Sequence, residues 1–196
     1  MATWREQWMI CGVPGSGKSH LAFRLATQYT QLSGKDRIAY FDLEYKQRLW
    51  VYDPAMQYRT ERNIRSFPFC GWEDRDSYPL IAFGDEHLDE AVEEAQNCTL
   101  LFDETMTIEG RDTFERIKRL CVLRRHRNVD LIFCTQSPKT IPKVVIRMCS
   151  QFVCFHIHDA DDIQQLRTML DKEDLAKLPT LSVDKHERVH RDFSGR

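Results

Sequence analysis

The chain has 196 residues, 42% of them hydrophobic and 30% charged, with a formal net charge of -2. This balance excludes an intrinsically disordered chain, and the length suits one domain over residues 1–196 with a core of its own. The near-neutral total excludes a molecule that holds nucleic acid by its overall field, so any such contact must come from a local basic patch. No apolar run approaches the roughly 18–20 residues that a membrane span needs, and the N-terminal stretch lacks a signal-peptide pattern. A cytoplasmic protein with no membrane span of its own is expected. The cysteines at 11, 70, 98, 121, 134, 149 and 154 are odd in number, with no C-x-x-C pair. They read as reduced thiols, several inside apolar runs, and not as a disulfide framework.

In chain order, "EQWMIC" (6–11) is short, apolar and followed at once by a glycine-rich turn, which predicts a buried strand. "SHLAFRLATQYTQLSG" has helical spacing at Leu21, Leu25 and Leu32 and stops at Gly34. "RIAYFDL" (37–43) reads as a second strand. The stretch 44–79 is polar, aromatic and irregular, with Pro54, Pro68 and "FCGWEDRDSYP", and reads as an insertion or surface excursion. "PLIAF" (79–83) is a short strand, and "DEHLDEAVEEAQN" a helix with Asp85 as its N-cap. "TLLFDE" (99–104) is a strand, "DTFERIKRLCVLRRHRN" (112–128) a basic helix and "VDLIFCTQ" (129–136) a strand. "IPKVVIRMC" is a short helix, "QFVCFHI" (151–157) a strand, and "DADDIQQLRTML" a capped helix; the segment from Leu178 adds a hairpin or edge strand.

Strands alternating with helices predict an α/β fold with a mostly parallel sheet. In such sheets the ligand sits beyond the carboxyl ends of the strands, so the residues that follow each strand carry the argument. After the first strand comes "GVPGSGKS" (12–19), which fits G-x-x-x-x-G-K-[ST] without a mismatch. Gly12, Gly15 and Gly17 let the backbone curl so that its N–H groups surround phosphate oxygens. Val13, Pro14 and Ser16 complete the loop, and His20 follows it into the helix. Lys18 reaches the outer phosphates as a point charge, Ser19 offers a hydroxyl to Mg²⁺, and the helix N-terminus adds its positive field. The alternative, a glycine-rich turn without a ligand, suits this strand–loop–helix setting poorly. A nucleotide phosphate site for ATP with Mg²⁺ is expected.

Asp103 and Glu104 follow "LLF". In a P-loop enzyme an acid at such a strand end holds the water shell of Mg²⁺, and the next acid can polarise the attacking water; the alternative is an acidic helix cap or turn. A second "DE", at Asp85 and Glu86, is a weaker candidate because Gly84 interrupts its strand. Gln136 ends the next strand; its amide can donate to phosphate and accept from water, so it can sense the γ-phosphate. The helix over 112–128 carries Arg116, Lys118, Arg119, Arg124, Arg125 and Arg127. A charge run is most often a solvated face, but an arginine at its end could stabilise charge on a neighbouring subunit's nucleotide or contact a DNA backbone.

These motifs resemble the FtsK–HerA superfamily of P-loop DNA-pumping ATPases. The likeness lies in "GVPGSGKS", "LLFDE" and "RRHRNVDLIFCTQSPKTIPKVVIRMCSQFVCFHI", followed by the Asp-rich "DADD", and covers the phosphate loop and residues 99–165. Within it the small size resembles the genome-packaging ATPases of tailless viruses with an internal membrane. The resemblance implies a three-layer P-loop NTPase with a RecA-like sheet and helices on both faces. It further implies a homo-oligomeric ring, a pentamer or hexamer, that pumps double-stranded DNA in the host cytoplasm or on the virion. A partner at a capsid vertex or membrane would dock it. Arg125 falls where such proteins keep their trans-acting arginine, with Arg124 and Arg127 as neighbours in play. Asn128 stands where a glycine is common, a substitution a left-handed backbone tolerates.

Six other readings bear on the chain. A filamentous-phage assembly (Zot-like) ATPase has a similar phosphate loop but normally a membrane segment. A nucleoside or nucleotide kinase would need an acceptor pocket and lid arginines. A nucleotide-gated switch would bind ATP and turn over slowly. "HERVH" (186–190) matches H-E-x-x-H in form, but that site needs a helix in a cleft and a third ligand, whereas this copy lies in a charged segment. Cys154, His156 and His158 would share one face of an extended strand as metal ligands might, although a packed strand face is the simpler expectation. Phe67, Phe69, Trp72 and Tyr78 could touch DNA, with local packing again the simpler reading.

Overall fold

A computed structural model describes residues 6–29, 48–52, 72–74 and 80–194. Its centre is a seven-stranded sheet: β1 (Gln7–Cys11), β2 (Arg48–Tyr52), β3 (Leu80–Phe83), β4 (Cys98–Phe102), β5 (Asp130–Thr135), β6 (Gln151–Cys154) and β7 (Val189–Asp192). The spatial order is β3-β2-β4-β5-β1-β6-β7. All neighbours are parallel except β7, which pairs antiparallel with β6. The helices are α1 (Lys18–Tyr29), α2 (Leu88–Glu94), α3 (Arg111–Arg127), α4 (Lys143–Arg147), α5 (Ala160–Leu166) and α6 (Lys172–Lys177). The expected α/β fold with a mostly parallel sheet is what the chain adopts.

The inner strands are apolar along their length because both faces are covered. Trp8 and Ile10 of β1, Leu101 of β4 and Ile132 of β5 pack with Ala22 and Ala26 of α1. Met9, Cys11, Phe102 and Phe133 point the other way, onto Ala91 and Val92 of α2, Ile117 and Leu120 of α3, Val145 of α4 and Leu166 of α5. Phe102 and Phe133 stack face to face across β4 and β5, with ring centroids 4.8 Å apart.

β2 falls inside the stretch expected to be an insertion or excursion, yet it is an inner strand between β3 and β4. The physical reason is two-sided burial. Leu49 and Val51 go to one face, Trp50 and Tyr52 to the other, so "RLWVY" has no amphipathic alternation to mark it as a strand. Trp72 packs edge-on against Trp50 at 5.0 Å and against Phe83 at 5.1 Å, in the core. The strand expected over 37–43, and Phe67, Phe69 and Tyr78, lie outside the described residues.

Asp85 does not cap a helix as expected. A short 3-10 turn over Asp85–His87 precedes α2, and the Asp85 carboxylate instead accepts a 2.5 Å hydrogen bond from the Tyr52 hydroxyl at the end of β2. Burial and that carboxylate both raise the phenol's pKa. At the end of α3 the Asn128 backbone is left-handed (φ 56°, ψ 46°), the conformation that a glycine or asparagine supplies most cheaply. Asp159 caps α5 as expected, its carboxylate accepting from the backbone N–H of Asp161 and Asp162.

Candidate functional site

The register brings the strand-end residues together. Cys11 is level with both Thr135 and Cys154, and Phe133 with Phe102. Gly12, Asp103 and Gln136 therefore leave the sheet at one edge, from three adjacent strands. β5 lies between β1 and β4, so the Gln136 strand separates the phosphate loop from the acids.

Between β1 and α1 the loop curls through positive φ at Gly12 (149°), Gly15 (74°) and Gly17 (95°). At Gly12 a side chain is excluded outright, because a Cβ would stand 2.7 Å from that of Phe155. The loop is tied to β6 by Val13 N–H donating to the His156 carbonyl at 3.0 Å. Around Gly15 no atom of the described residues, its chain neighbours apart, lies within 4 Å of where a Cβ would stand, so the loop's mouth is open. Lys18 is buried, 4% exposed, and its ammonium donates to the Val13 carbonyl at 3.0 Å. An ammonium folded onto its own loop is a charge held in reserve at the mouth, since a phosphate would outbid a neutral carbonyl for it.

Two paired contacts complete the edge. The Ser19 hydroxyl donates to Asp103 Oδ1 at 2.9 Å. A hydroxyl beside a carboxylate is the oxygen donor set that a hard divalent cation takes. Ser16 is fully buried, and its hydroxyl has no hydrogen-bond partner among the described residues. The residues present thus fit a triphosphate with Mg²⁺. Gln136 Nε2 donates to Glu104 Oε1 at 2.9 Å. Glu104 is itself left-handed (φ 59°, ψ 51°), which for a non-glycine residue costs on the order of 1 kcal/mol. That reversal turns the chain sharply after Asp103 and aims the second acid across to β5.

The Gln136 loop is held from behind. Asp162, 5% exposed, accepts from the Ser137 hydroxyl at 2.8 Å and the Lys139 backbone N–H at 2.9 Å. Lys139 in turn donates to Asp159 at 3.2 Å. The Asp-rich start of α5 reads in the sequence as a helix cap and as part of the family likeness; its further task, anchoring the loop after β5, has no local signal.

The arginines separate by environment. Arg124 is 8% exposed and donates to the Cys121 carbonyl of its own helix at 2.6 Å; burial lowers its guanidinium pKa. Arg127 donates to the Glu93 carbonyl at 2.8 Å, capping the end of α2. Arg125 is exposed and makes no hydrogen bond or ion pair among the described residues. All three stand at the amino end of β5, about 20 Å of strand away from Gln136.

The remaining candidates disperse. Residues 186–190 form no helix: His186 lies in a turn and His190 on β7, where it stacks on Trp8 at 5.5 Å. Strand β6 ends at Cys154, and His156 donates to the Leu181 carbonyl at 3.0 Å. Among the described residues no group of three His, Cys, Asp or Glu side chains could hold a metal ion. Nor is any helix among them long and apolar enough to cross a membrane.

No protein-family model matches the chain, and no curated protein sequence matches it. Solved structures do. The genome-packaging NTPase B204 of Sulfolobus turreted icosahedral virus 2, in complex with AMPPCP, superposes with a TM-score of 0.71 at 14% identity, over 96% of this chain and 97% of that one. B204 of Sulfolobus turreted icosahedral virus, described as a DNA-packaging ATPase, gives 0.63 at 15% identity over 95% and 97%. The pCW3 conjugation coupling protein TcpA, with ATPγS, gives 0.54 at 12% identity over 83% of this chain and 52% of that one. The described residues thus share the fold of a viral genome-packaging NTPase, in agreement with the FtsK–HerA resemblance of the motifs.

Proposed function

We propose that the chain is an ATP-hydrolysing DNA translocase, a viral genome-packaging ATPase that pumps double-stranded DNA as a pentameric or hexameric ring. One observation carries the reading: the glycine loop with Lys18, the Ser19–Asp103 pair and the Gln136–Glu104 pair meet at one sheet edge. The fold of packaging NTPases that bind nucleotide analogues supports it.

The loop N–H groups and Lys18 bind the phosphates and hold the γ-phosphate in line. Ser19 and Asp103 would hold Mg²⁺, which neutralises phosphate charge when bound. Glu104 accepts a hydrogen bond from water and takes its proton as the water oxygen bonds to the γ-phosphorus; the bond to the bridging oxygen breaks and ADP leaves. Gln136, joined to Glu104 at the outset, is freed to contact the γ-phosphate. A γ-phosphate therefore exchanges one amide contact for another, and its loss on hydrolysis reverses the exchange. Arg125, exposed and uncommitted, serves the next subunit's nucleotide.

Steady-state ATP hydrolysis across a protein-concentration series, with and without long double-stranded DNA, tests this reading, with Lys18→Ala as the blank. A rate per subunit that rises with both concentration and DNA is expected. Binding of ATP with flat, negligible turnover would identify a switch instead. Arg125→Ala should bind ATP and assemble but lose hydrolysis; wild-type turnover in that variant would remove the arginine from the mechanism.

A further inference from the structure

The turn over residues 182–188 leaves the C-terminal part of the chain and reaches back onto the phosphate loop, although no motif links the two. The His186 Nδ1 lies 3.0 Å from the Ser16 carbonyl oxygen, across 170 positions of sequence. A carbonyl only accepts, so Nδ1 carries the proton and donates. The ring packs directly on Gly17, where an added Cβ would sit 3.1 Å from that same nitrogen. Arg188 places its guanidinium 5.9 Å from the ring centre of Phe155, the residue whose Cβ backs Gly12.

The turn is built to hold this position. His186 N–H donates to the Val183 carbonyl, Glu187 N–H to the Ser182 carbonyl, and the Glu187 carboxylate accepts from Ser182 N–H at 2.8 Å. Upstream, His156 ties the Leu181 carbonyl to the end of β6, and the carbonyl of His156 itself accepts from Val13 of the loop. His186 takes a left-handed backbone, φ 51°, which a non-glycine residue adopts at a cost. The strain turns the imidazole inward to the loop from a residue that is otherwise exposed.

We propose that His186 is a positioning residue for nucleotide binding, acting through the Ser16–Gly17 peptide. A donor on the Ser16 oxygen polarises that amide and strengthens its other end, the Gly17 N–H, as a donor. That N–H has no acceptor among the described residues and belongs to the loop that would cradle phosphate. The same contact fixes the peptide's orientation, so less order is lost when the phosphates arrive. The inference rests on the nucleotide reading given above and adds to it a second segment of the chain, distant in sequence.

The test is titration of a fluorescent ATP analogue into the full-length wild type, His186→Ala, His186→Gly, His186→Asn and Lys18→Ala, each with a melting curve. Asparagine keeps an N–H donor at the Nδ1 position and tolerates the left-handed backbone; glycine removes the donor together with the strain. Alanine and glycine should both weaken binding by about tenfold, a loss of one charge-neutral hydrogen bond in a partly dry site. Asparagine should restore affinity to within about threefold. KM for ATP should follow the same order while kcat stays near wild type. Wild-type affinity in both the alanine and glycine variants would overturn the role of His186 alone. An asparagine variant as weak as alanine, with an unchanged melting curve, would likewise overturn the donor mechanism. A wild type that binds no better than Lys18→Ala would overturn the nucleotide reading and this inference with it.

Discussion

The two edges of the sheet use the same residue types for different ends. At the amino edge, Glu6 and Asp130 are 5% and 1% exposed, and their polar groups join distant segments. Asp130 accepts from the Glu6 backbone N–H at 2.6 Å, the Glu6 carboxylate accepts from the Ser150 hydroxyl, and Gln7 Nε2 donates to the Val145 carbonyl at 2.9 Å. Those contacts close the start of β1 against β5 and α4. At the carboxyl edge three polar pairs are made of groups that would also serve a nucleotide: an ammonium on a loop carbonyl, a hydroxyl on a carboxylate, an amide on a second carboxylate. A buried acid therefore marks function only where its partner is exchangeable. Where the partner is a backbone N–H of the core, the acid is part of the fold.

Substitutions at the two edges should break this contrast in order of size. Lys18→Ala should lower ATP hydrolysis by more than ~10³-fold, because among the described residues no other side chain of the loop supplies that charge to the transferring phosphoryl group. Its melting temperature should stay within about 3 °C of wild type, since only one loop contact is lost. Glu104→Gln should reduce turnover by ~10²–10³-fold while binding persists. The amide oxygen still accepts from Gln136, so a fluorescent-nucleotide titration should return an unchanged affinity. At the other edge Asp130→Ala strands the Glu6 N–H, costing about 1–3 kcal/mol, or roughly 2–10 °C in melting temperature. KM for ATP in that variant should equal wild type, and a changed KM would deny that the edges are separate. Smallest of all is the effect expected in the core between them. Cys11 and Cys134 are fully buried, and burial raises their thiol pKa well above the ordinary value. Both thiols stay protonated at pH 8, so a maleimide should label neither in the native protein and both in urea, read by peptide mass.

What could be read without the fold was local. "GVPGSGKS" states its own geometry, because three glycines at fixed offsets permit the positive φ angles that the loop then shows. Asp103 and Gln136 were legible because a strand end lies where an apolar run stops. The strand over Arg48–Tyr52 was not legible, since a run buried on both faces among charged neighbours carries no period of two. The arginines of α3 were legible as a group and not one by one. Arg124 and Arg127 are occupied by carbonyls of α3 and α2, and only packing reveals which guanidinium remains outside.

By itself, then, the sequence determined the chemistry on offer: a phosphate loop, two acids, a glutamine, and a basic helix feeding a parallel sheet. Tertiary structure alone decided which of these groups meet. It set β5 between β1 and β4, gave Asp85 to Tyr52, tied Ser137 and Lys139 to Asp162, and laid His186 on Ser16. The reason is separation along the chain. Spacing over a few residues constrains backbone angles directly. A contact such as Ser19 with Asp103, 84 positions apart, exists only once strand order and register have brought the two ends level.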